Sequence, residues 1–127
     1  MTTNETYPLI LAFDEDPLTQ GLTRRILSTL GCMVFSTGSK SDFLELLDAK
    51  SQEIQAVLLD YSSGEGDVEW FLSAIRSRNP NVAAYLVTAD EVDATYFESL
   101  GLTGVLHKPL KIAELKHLVQ SFHIRVA

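Results

Sequence analysis

The sequence predicts an α/β domain built from a five-stranded parallel sheet with helices on both faces. Short apolar segments alternate with amphipathic segments of helical period, five times in succession. The apolar segments are hydrophobic throughout, as expected of strands that are buried on both faces. The connections are only a few residues long, so successive strands should run parallel through right-handed crossovers.

The first two strand–helix units take up residues 8–50. Residues 8–13 predict a buried strand, and Met33 to Ser36 predict a short one. A helix from Pro17 to Leu30 has proline in its first turn and stops at Gly31. A second helix runs from Ser39, its expected N-cap, to Ala49. The apolar positions expected on these helices are Leu18, Leu22, Ile26 and Leu30, followed by Phe43, Leu44 and Leu47.

The remaining three units repeat the pattern. Strands are expected at residues 55–60, 82–87 and 103–107. A helix after the third strand should stop before Asn79-Pro80, and a short helix near residues 91–99 should end at Gly101. The apolar face predicted for the third helix consists of Val68, Phe71, Leu72 and Ile75. The apolar face predicted for the last helix consists of Ile112, Leu115, Leu118, Val119 and Phe122.

Length and charge limit the class of protein. The 127 residues predict a single domain, 1–127, with its core at about 8–124. The formal charge of −7 and the lack of a basic block make nucleic acid and anionic membranes unexpected partners. No apolar run approaches the ~20 residues of a membrane span. Cys32 reads as a small buried side chain, and a cytoplasmic location is expected.

Polar residues follow four of the predicted strands. Asp14 and Glu15 follow the first, Asp60 ends the third, Thr88 ends the fourth and Lys108 follows the fifth. The carboxyl ends of parallel strands line one crevice, so these groups should converge. Clustered carboxylates repel one another unless they share protons or bind a cation, and hard oxygens suit Mg²⁺. The sequence therefore predicts a site for a divalent cation and a phosphoryl group.

These segments resemble a receiver domain of a two-component response regulator. The resemblance covers residues 8–124 and rests on Leu-Ala-Phe-Asp14-Glu15-Asp16-Pro, Val-Leu-Leu-Asp60, Leu-Val-Thr88-Ala89 and His-Lys108-Pro109, in that order. It implies the strand order 2-1-3-4-5. It also implies a cis peptide bond before Pro109.

The resemblance assigns roles to the residues of the site. Asp60 would accept a phosphoryl group, in a Mg²⁺-dependent reaction, from a phosphohistidine on a histidine kinase or histidine phosphotransfer protein. Asp14, Glu15, Asp60 and the backbone carbonyl of Ser62 would hold Mg²⁺. Thr88 would bond the phosphoryl oxygens, and Lys108 would pair first with the carboxylate and then with the phosphoryl. Such a domain is a switch for a downstream protein target and not a turnover enzyme, and it could form a homodimer through its fourth and fifth helices.

Four positions depart from the family's pattern. Glu15 replaces the usual second aspartate, and Gly64 and Val68 replace a proline and a glycine after Asp60, which predicts a more mobile loop. Val105 replaces the aromatic residue that usually acts as a rotameric switch.

Two other functions remain open. The chain could be a pseudo-receiver, an interaction module that is not phosphorylated, as Glu15 and Val105 would suggest. It also resembles, more weakly, the haloacid dehalogenase phosphohydrolases, because Asp14-Glu15-Asp16 has their Asp-x-Asp spacing. That reading leaves Asp60 without a role.

Overall fold

The computed structural model describes residues 7–62 and 67–126, with side chains described up to Phe122. Five strands and five helices alternate along this part of the chain. The strands are β1 (Leu9–Phe13), β2 (Met33–Thr37), β3 (Ile54–Asp60), β4 (Ala83–Thr88) and β5 (Gly104–His107). The helices are α1 (Pro17–Thr29), α2 (Lys40–Lys50), α3 (Val68–Arg78), α4 (Ala94–Ser99) and α5 (Ile112–Val126).

All of the strand pairs are parallel, and the sheet has the order β2-β1-β3-β4-β5. This confirms both the predicted fold class and the predicted order. Helices cover both faces. Residues of α2, α3 and α4 pack with one set of strand residues, and residues of α1 and α5 pack with the alternate set. The described part of the chain contains no helix that is long and apolar enough to cross a membrane.

Phenylalanine side chains form the centre of the core on the α2–α3 face. Phe13 of β1, Phe43 of α2 and Phe71 of α3 contact one another, with ring centroids 4.6–6.2 Å apart. Offset and edge-to-face contacts of this kind add to the free energy gained from burial. Because Phe13 immediately precedes Asp14, this aromatic cluster fixes the end of β1 from which the acidic residues emerge.

The face that α1 buries against the sheet differs from the predicted face. Leu18 and Leu22 are 75% and 56% exposed, whereas Thr23 and Leu27 are buried. Successive helical residues are about 100° apart, so the buried face is rotated by roughly one residue from the expected one. A four-residue repeat gives the spacing of apolar side chains, but it does not determine which side of the helix meets the sheet.

Local signals set most of the helix ends. Ser39 accepts a hydrogen bond from the amide of Asp42 at 3.1 Å and caps α2, as predicted. Helix α4 begins at Ala94 and not near residue 91, because the Asp93 carboxylate caps it by accepting from two amides of its first turn. Gly101 follows α4 with a φ of 112°, a conformation that glycine adopts without strain.

Candidate functional site

The predicted site residues come together at the carboxyl edge of the sheet. Asp14 directly follows β1, Asp60 is the last residue of β3 and Thr88 is the last residue of β4. Lys108 directly follows β5. Since β1, β3, β4 and β5 are successive neighbours in the sheet, these four side chains lie in a row across its edge.

Backbone hydrogen bonds between neighbouring strands continue one residue past the strand ends. They therefore hold the backbone of the site in the same frame as the sheet. The amides of Asp14, Tyr61 and Lys108 donate to the carbonyl oxygens of Thr37, Val87 and Thr88, at 2.9, 2.9 and 2.8 Å.

Lys108 lies between the two aspartates. Its ammonium forms an ion pair and hydrogen bond with Asp60, and its Nζ is 3.9 Å from Oδ2 of Asp14. The Lys108 and Asp60 side chains are 27% and 21% exposed, so the pair is partly shielded from water. One ammonium thus serves two carboxylates, which leaves this part of the site net negative.

Asp14 is the more deeply buried carboxylate, at 7% exposure. Its Oδ1 accepts a hydrogen bond from the amide of Asp16 at 2.9 Å. Burial raises the pKa of Asp14 above its ordinary value, and the negative charge of Asp60 raises it further, against the opposing effects of the Asp16 amide and Lys108. Its ionised form is therefore disfavoured here, and a cation placed beside it would be stabilised.

Glu15 and Ser62 lie at the exposed mouth of the site. They line a cavity of about 430 Å³ together with Asp60. Among the described side chains of residues 7–62 and 67–122, no three acidic, histidine or cysteine side chains are grouped closely enough to hold a metal ion. The structure therefore brings Asp14 and Asp60 together, whereas Glu15 does not complete a set of three carboxylates. The predicted use of the Ser62 carbonyl stays a prediction.

The Thr88 side chain is fully buried beside the site. Its Oγ1 accepts a hydrogen bond from the amide of Asp90 at 3.1 Å. A hydroxyl that accepts in this way keeps its own proton to donate. Thr88 can therefore offer a donor towards an oxygen that reaches the end of β4, which is the role expected of it.

Asp16 is not part of the cluster of predicted site residues. It caps α1 by accepting hydrogen bonds from the amide of Leu18 and the hydroxyl of Thr19. These bonds lower the pKa of Asp16, with the Thr19 hydroxyl as the largest cause.

The Lys108–Pro109 peptide bond is cis, as the resemblance implied.

Gly38 lets the loop after β2 approach the backbone of Asp14, although it was not among the residues predicted to form the site. A Cβ at this position would lie 3.2 Å from the backbone oxygen of Asp14 and 3.1 Å from Nε2 of Gln20. That nitrogen donates to the same Asp14 oxygen. The close approach of the loop after β2 to the loop after β1 therefore favours glycine here, because a Cβ would fit only if its neighbours moved by a few tenths of an ångström. A glycine directly after a strand was the available signal.

Two partly buried side chains, Val105 and Tyr61, lie on the face of the sheet that α4 covers. Val105 is partly buried against the hydrophobic core, in the place where an aromatic residue would be usual. Tyr61 is also partly buried, and its ring packs edge-to-face on Phe97 with centroids 5.3 Å apart. Tyr61 therefore links the end of β3 to α4. Of the loop after Asp60 that was predicted to be mobile, residues 63–66, with Gly64, lie outside the described residues, whereas Val68 is buried as the first residue of α3.

The chemistry of the donors fits a hard divalent cation. Two carboxylates converge where one already has a raised pKa, and a positive group, the Lys108 ammonium, already lies between them. Asp14 and Asp60 supply the oxygen ligands that Mg²⁺ prefers, and Mg²⁺ commonly keeps several waters in place of further protein ligands. Glu15 lines the same cavity as Asp60.

The chain matches the model of a known protein family. The model of the response regulator receiver domain matches residues 10–120. Among curated proteins, ethylene receptor 2 of Arabidopsis thaliana is 30% identical over 112 residues, and ethylene receptor 4 of Oryza sativa subsp. indica is 29% identical over 121 residues. Each alignment includes 84% of this chain, which spans only 14% and 16% of those receptors.

Solved structures show the same fold at low sequence identity. A receiver domain protein from Clostridium thermocellum has a TM-score of 0.80 at 19% identity, covering 90% of this chain and 92% of that one. The chemotaxis protein CheY4 of Vibrio cholerae has a TM-score of 0.77 at 17% identity, covering 91% of this chain and 98% of that one.

Proposed function

This chain belongs to the response regulator receiver domain family of two-component systems, and from that premise we propose that it accepts a phosphoryl group on Asp60. The observation that carries the proposal is the position of the Lys108 ammonium. It pairs with Asp60, which lines an open cavity, and its Nζ lies within 4 Å of Oδ2 of Asp14. Receiver domains are phosphoacceptors in signalling and generally not turnover enzymes, and we propose the same for this one.

The proposed reaction transfers a phosphoryl group from a histidine nitrogen of the donor to a carboxylate oxygen of Asp60. A carboxylate oxygen of Asp60 attacks the phosphorus of a phosphohistidine, the P–N bond breaks, and its electron pair stays on the imidazole. Positioning and charge stabilisation supply most of the catalysis in such transfers. We propose that Lys108 and the Thr88 hydroxyl meet the charge on the phosphoryl oxygens; the ion pair of Lys108 with Asp60 and the position of Thr88 on the neighbouring strand support this.

We propose that Asp14 and Asp60 hold Mg²⁺, with Glu15 and the Ser62 carbonyl completing its shell directly or through water. When bound, the ion would neutralise charge on the oxygens of the phosphoryl group. The Lys108 ammonium would move from the Asp60 carboxylate to the phosphoryl oxygens, since it is a point charge on a flexible side chain. Asp14 would remain ionised in that state because a cation offsets the effect of its burial.

We propose a histidine kinase or histidine phosphotransfer protein as the donor, and a protein target as the receiver of the signal. The similarity to part of the ethylene receptors supports a role in such a relay. The single-domain extent, 1–127, a cytoplasmic location and a homodimer through α4 and α5 stay predictions.

Acetyl phosphate tests the proposal without the unknown kinase. With Mg²⁺, the wild-type protein should gain the mass of one phosphoryl group, and Asp60→Asn should gain none. Asp42→Asn, which removes an exposed aspartate from α2, is the matched control and should be labelled like wild type. Undiminished labelling of Asp60→Asn would refute the assignment.

The same experiment separates this proposal from a pseudo-receiver. The exposed position of Glu15, outside any group of three acids among the described residues, favours that second function. A pseudo-receiver would stay unlabelled in wild type. In that case Glu15→Asp, which restores the usual residue of the family, should recover labelling if the longer side chain is the cause.

A further inference from the structure

A second lysine lies at the mouth of the Asp60 cavity. Lys40, the first residue of α2, forms an ion pair with Asp67, directly before α3. Its Nζ also lies 4.7 Å from the ring centroid of Trp70. An ammonium at this distance from an indole face is attracted by the negative charge of the ring. One ammonium thus connects the beginnings of two neighbouring helices.

Both members of this ion pair line the cavity that Asp60 lines. Asp67 occupies the N-cap position of α3, but its side chain makes no capping hydrogen bond. Its carboxylate is engaged by Lys40 instead. An aspartate in this position would ordinarily bond the first amides of the helix. The arrangement therefore keeps a cation at the cavity mouth and leaves the usual cap unmade.

The energetics favour an exchange of partners. The Lys40 and Asp67 side chains are 44% and 59% exposed, and exposed pairs contribute little free energy. A phosphoryl group on Asp60 would raise the negative charge at that position to nearly two. Lys108 already serves Asp14 and Asp60, so it cannot neutralise the added charge alone. Among the described residues, Lys40 is the one lysine that lines the cavity to which Asp60 contributes.

We propose that Lys40 is a second cationic ligand for the phosphoryl group on Asp60, held on Asp67 and Trp70 until that group arrives. The inference rests on the proposed phosphorylation of Asp60. It gives Lys40 a binding role and Asp67 the role of a competitor. Because Trp70 is the single tryptophan of the chain, its fluorescence reports whether the ammonium is in place.

Beryllofluoride with Mg²⁺ is the probe, because it mimics a phosphoryl group reversibly on an aspartate. Affinity is measured by ¹⁹F NMR and the position of Lys40 by Trp70 emission. Lys40→Met should bind beryllofluoride about two- to fivefold more weakly, the range expected for one exposed charge pair. Asp67→Asn should bind it more tightly, since the competitor is gone. The Trp70 response should be lost in Lys40→Met.

Two controls separate a direct contact from a general effect of charge. Lys116→Met removes an exposed lysine on α5, and Glu69→Gln removes an acid from the first turn of α3. Both should bind the probe like wild type. In the double variant Lys40→Met/Asp67→Asn, the gain from Asp67→Asn should disappear, because that gain acts through Lys40.

The outcomes distinguish this inference from the proposal on which it rests. If wild type takes no phosphoryl mass from acetyl phosphate and no beryllofluoride, both are overturned. If wild type is labelled on Asp60 but Lys40→Met keeps the wild-type affinity and Trp70 response, phosphorylation stands and the role of Lys40 is overturned. The role of Lys40 is also overturned if Asp67→Asn raises the affinity for beryllofluoride as much in the double variant as it does alone.

Discussion

Replacing Lys108 by methionine should destabilise the fold even without any phosphoryl donor. The change removes the one ammonium that lies between Asp60 and Asp14 and leaves two neighbouring carboxylates without it. Removing one partner of a buried pair costs about 3–5 kcal/mol, whereas an exposed pair contributes up to about 1 kcal/mol. With side-chain exposures of 27% and 21%, Lys108 and Asp60 lie between these limits, so the expected loss is about 2 kcal/mol.

Urea unfolding, followed by circular dichroism, measures this loss. For a domain of this size, about 2 kcal/mol corresponds to a midpoint lower by about 1 M urea. Asp60→Asn should restore part of the loss in the Lys108→Met background, because it removes one of the two unneutralised charges. Lys111→Met, at an exposed lysine nearby in sequence, should change stability by less than about 0.5 kcal/mol. A Lys108→Met protein as stable as wild type, or strictly additive losses in the double variant, would refute this reasoning.

Three further changes test other parts of the site. Asp14→Asn should raise the thermal midpoint of the metal-free protein near pH 7, because the raised pKa of Asp14 means that its charge opposes folding above that pKa. The gain should shrink as the pH falls through the folded pKa towards the ordinary value of 3.8, and a gain that does not depend on pH would contradict the assignment. Gly38→Ala should cost about 1–3 kcal/mol in urea unfolding and weaken Mg²⁺ binding, since the new methyl presses on the Asp14 backbone; a neutral result would show that the loop yields freely. With beryllofluoride, NMR shifts should be larger near Thr88 than across α4 and α5, because Val105 is too short to move into space that Thr88 vacates; large shifts across both helices would show that another residue acts as the switch.

The sequence predicted the strands and the faces of α3 and α5 well, because their patterns depend on burial alone. All four stripe residues of α3 are buried, as are those of α5 except Ile112, which begins the helix and is 62% exposed. The predicted face of α1 was wrong in the first half of the helix: Leu18 and Leu22 are exposed, whereas Ile26 and Leu30 are partly buried against the core. Apolar spacing indicates the face of a helix only approximately, because its exact rotation depends on the neighbours against which it packs.

The site could be predicted as far as it depends on strand ends. Asp60, Thr88 and Lys108 follow apolar runs, so the topology of the sheet brings them together. The contacts of side chains on separate loops were not predictable. Lys40 and Asp67 are 27 residues apart, and neither belongs to a strand. Glu15 was expected to join Asp14 and Asp60 as a metal ligand; its side chain is exposed and lines the same cavity as Asp60, and its role stays a prediction.

The hydrogen bonds that continue past the strand ends have a consequence for amide exchange with deuterium. The amides of Tyr61 and Lys108 are bonded to Val87 and Thr88 within the sheet, although both residues lie formally in loops. They should therefore exchange with the slow kinetics of the strands and open only when the sheet itself opens. We therefore expect the backbone next to Asp60 to open no faster than the core of the sheet, so that the effect of a phosphoryl group on Asp60 would reach the surface through side chains and helices.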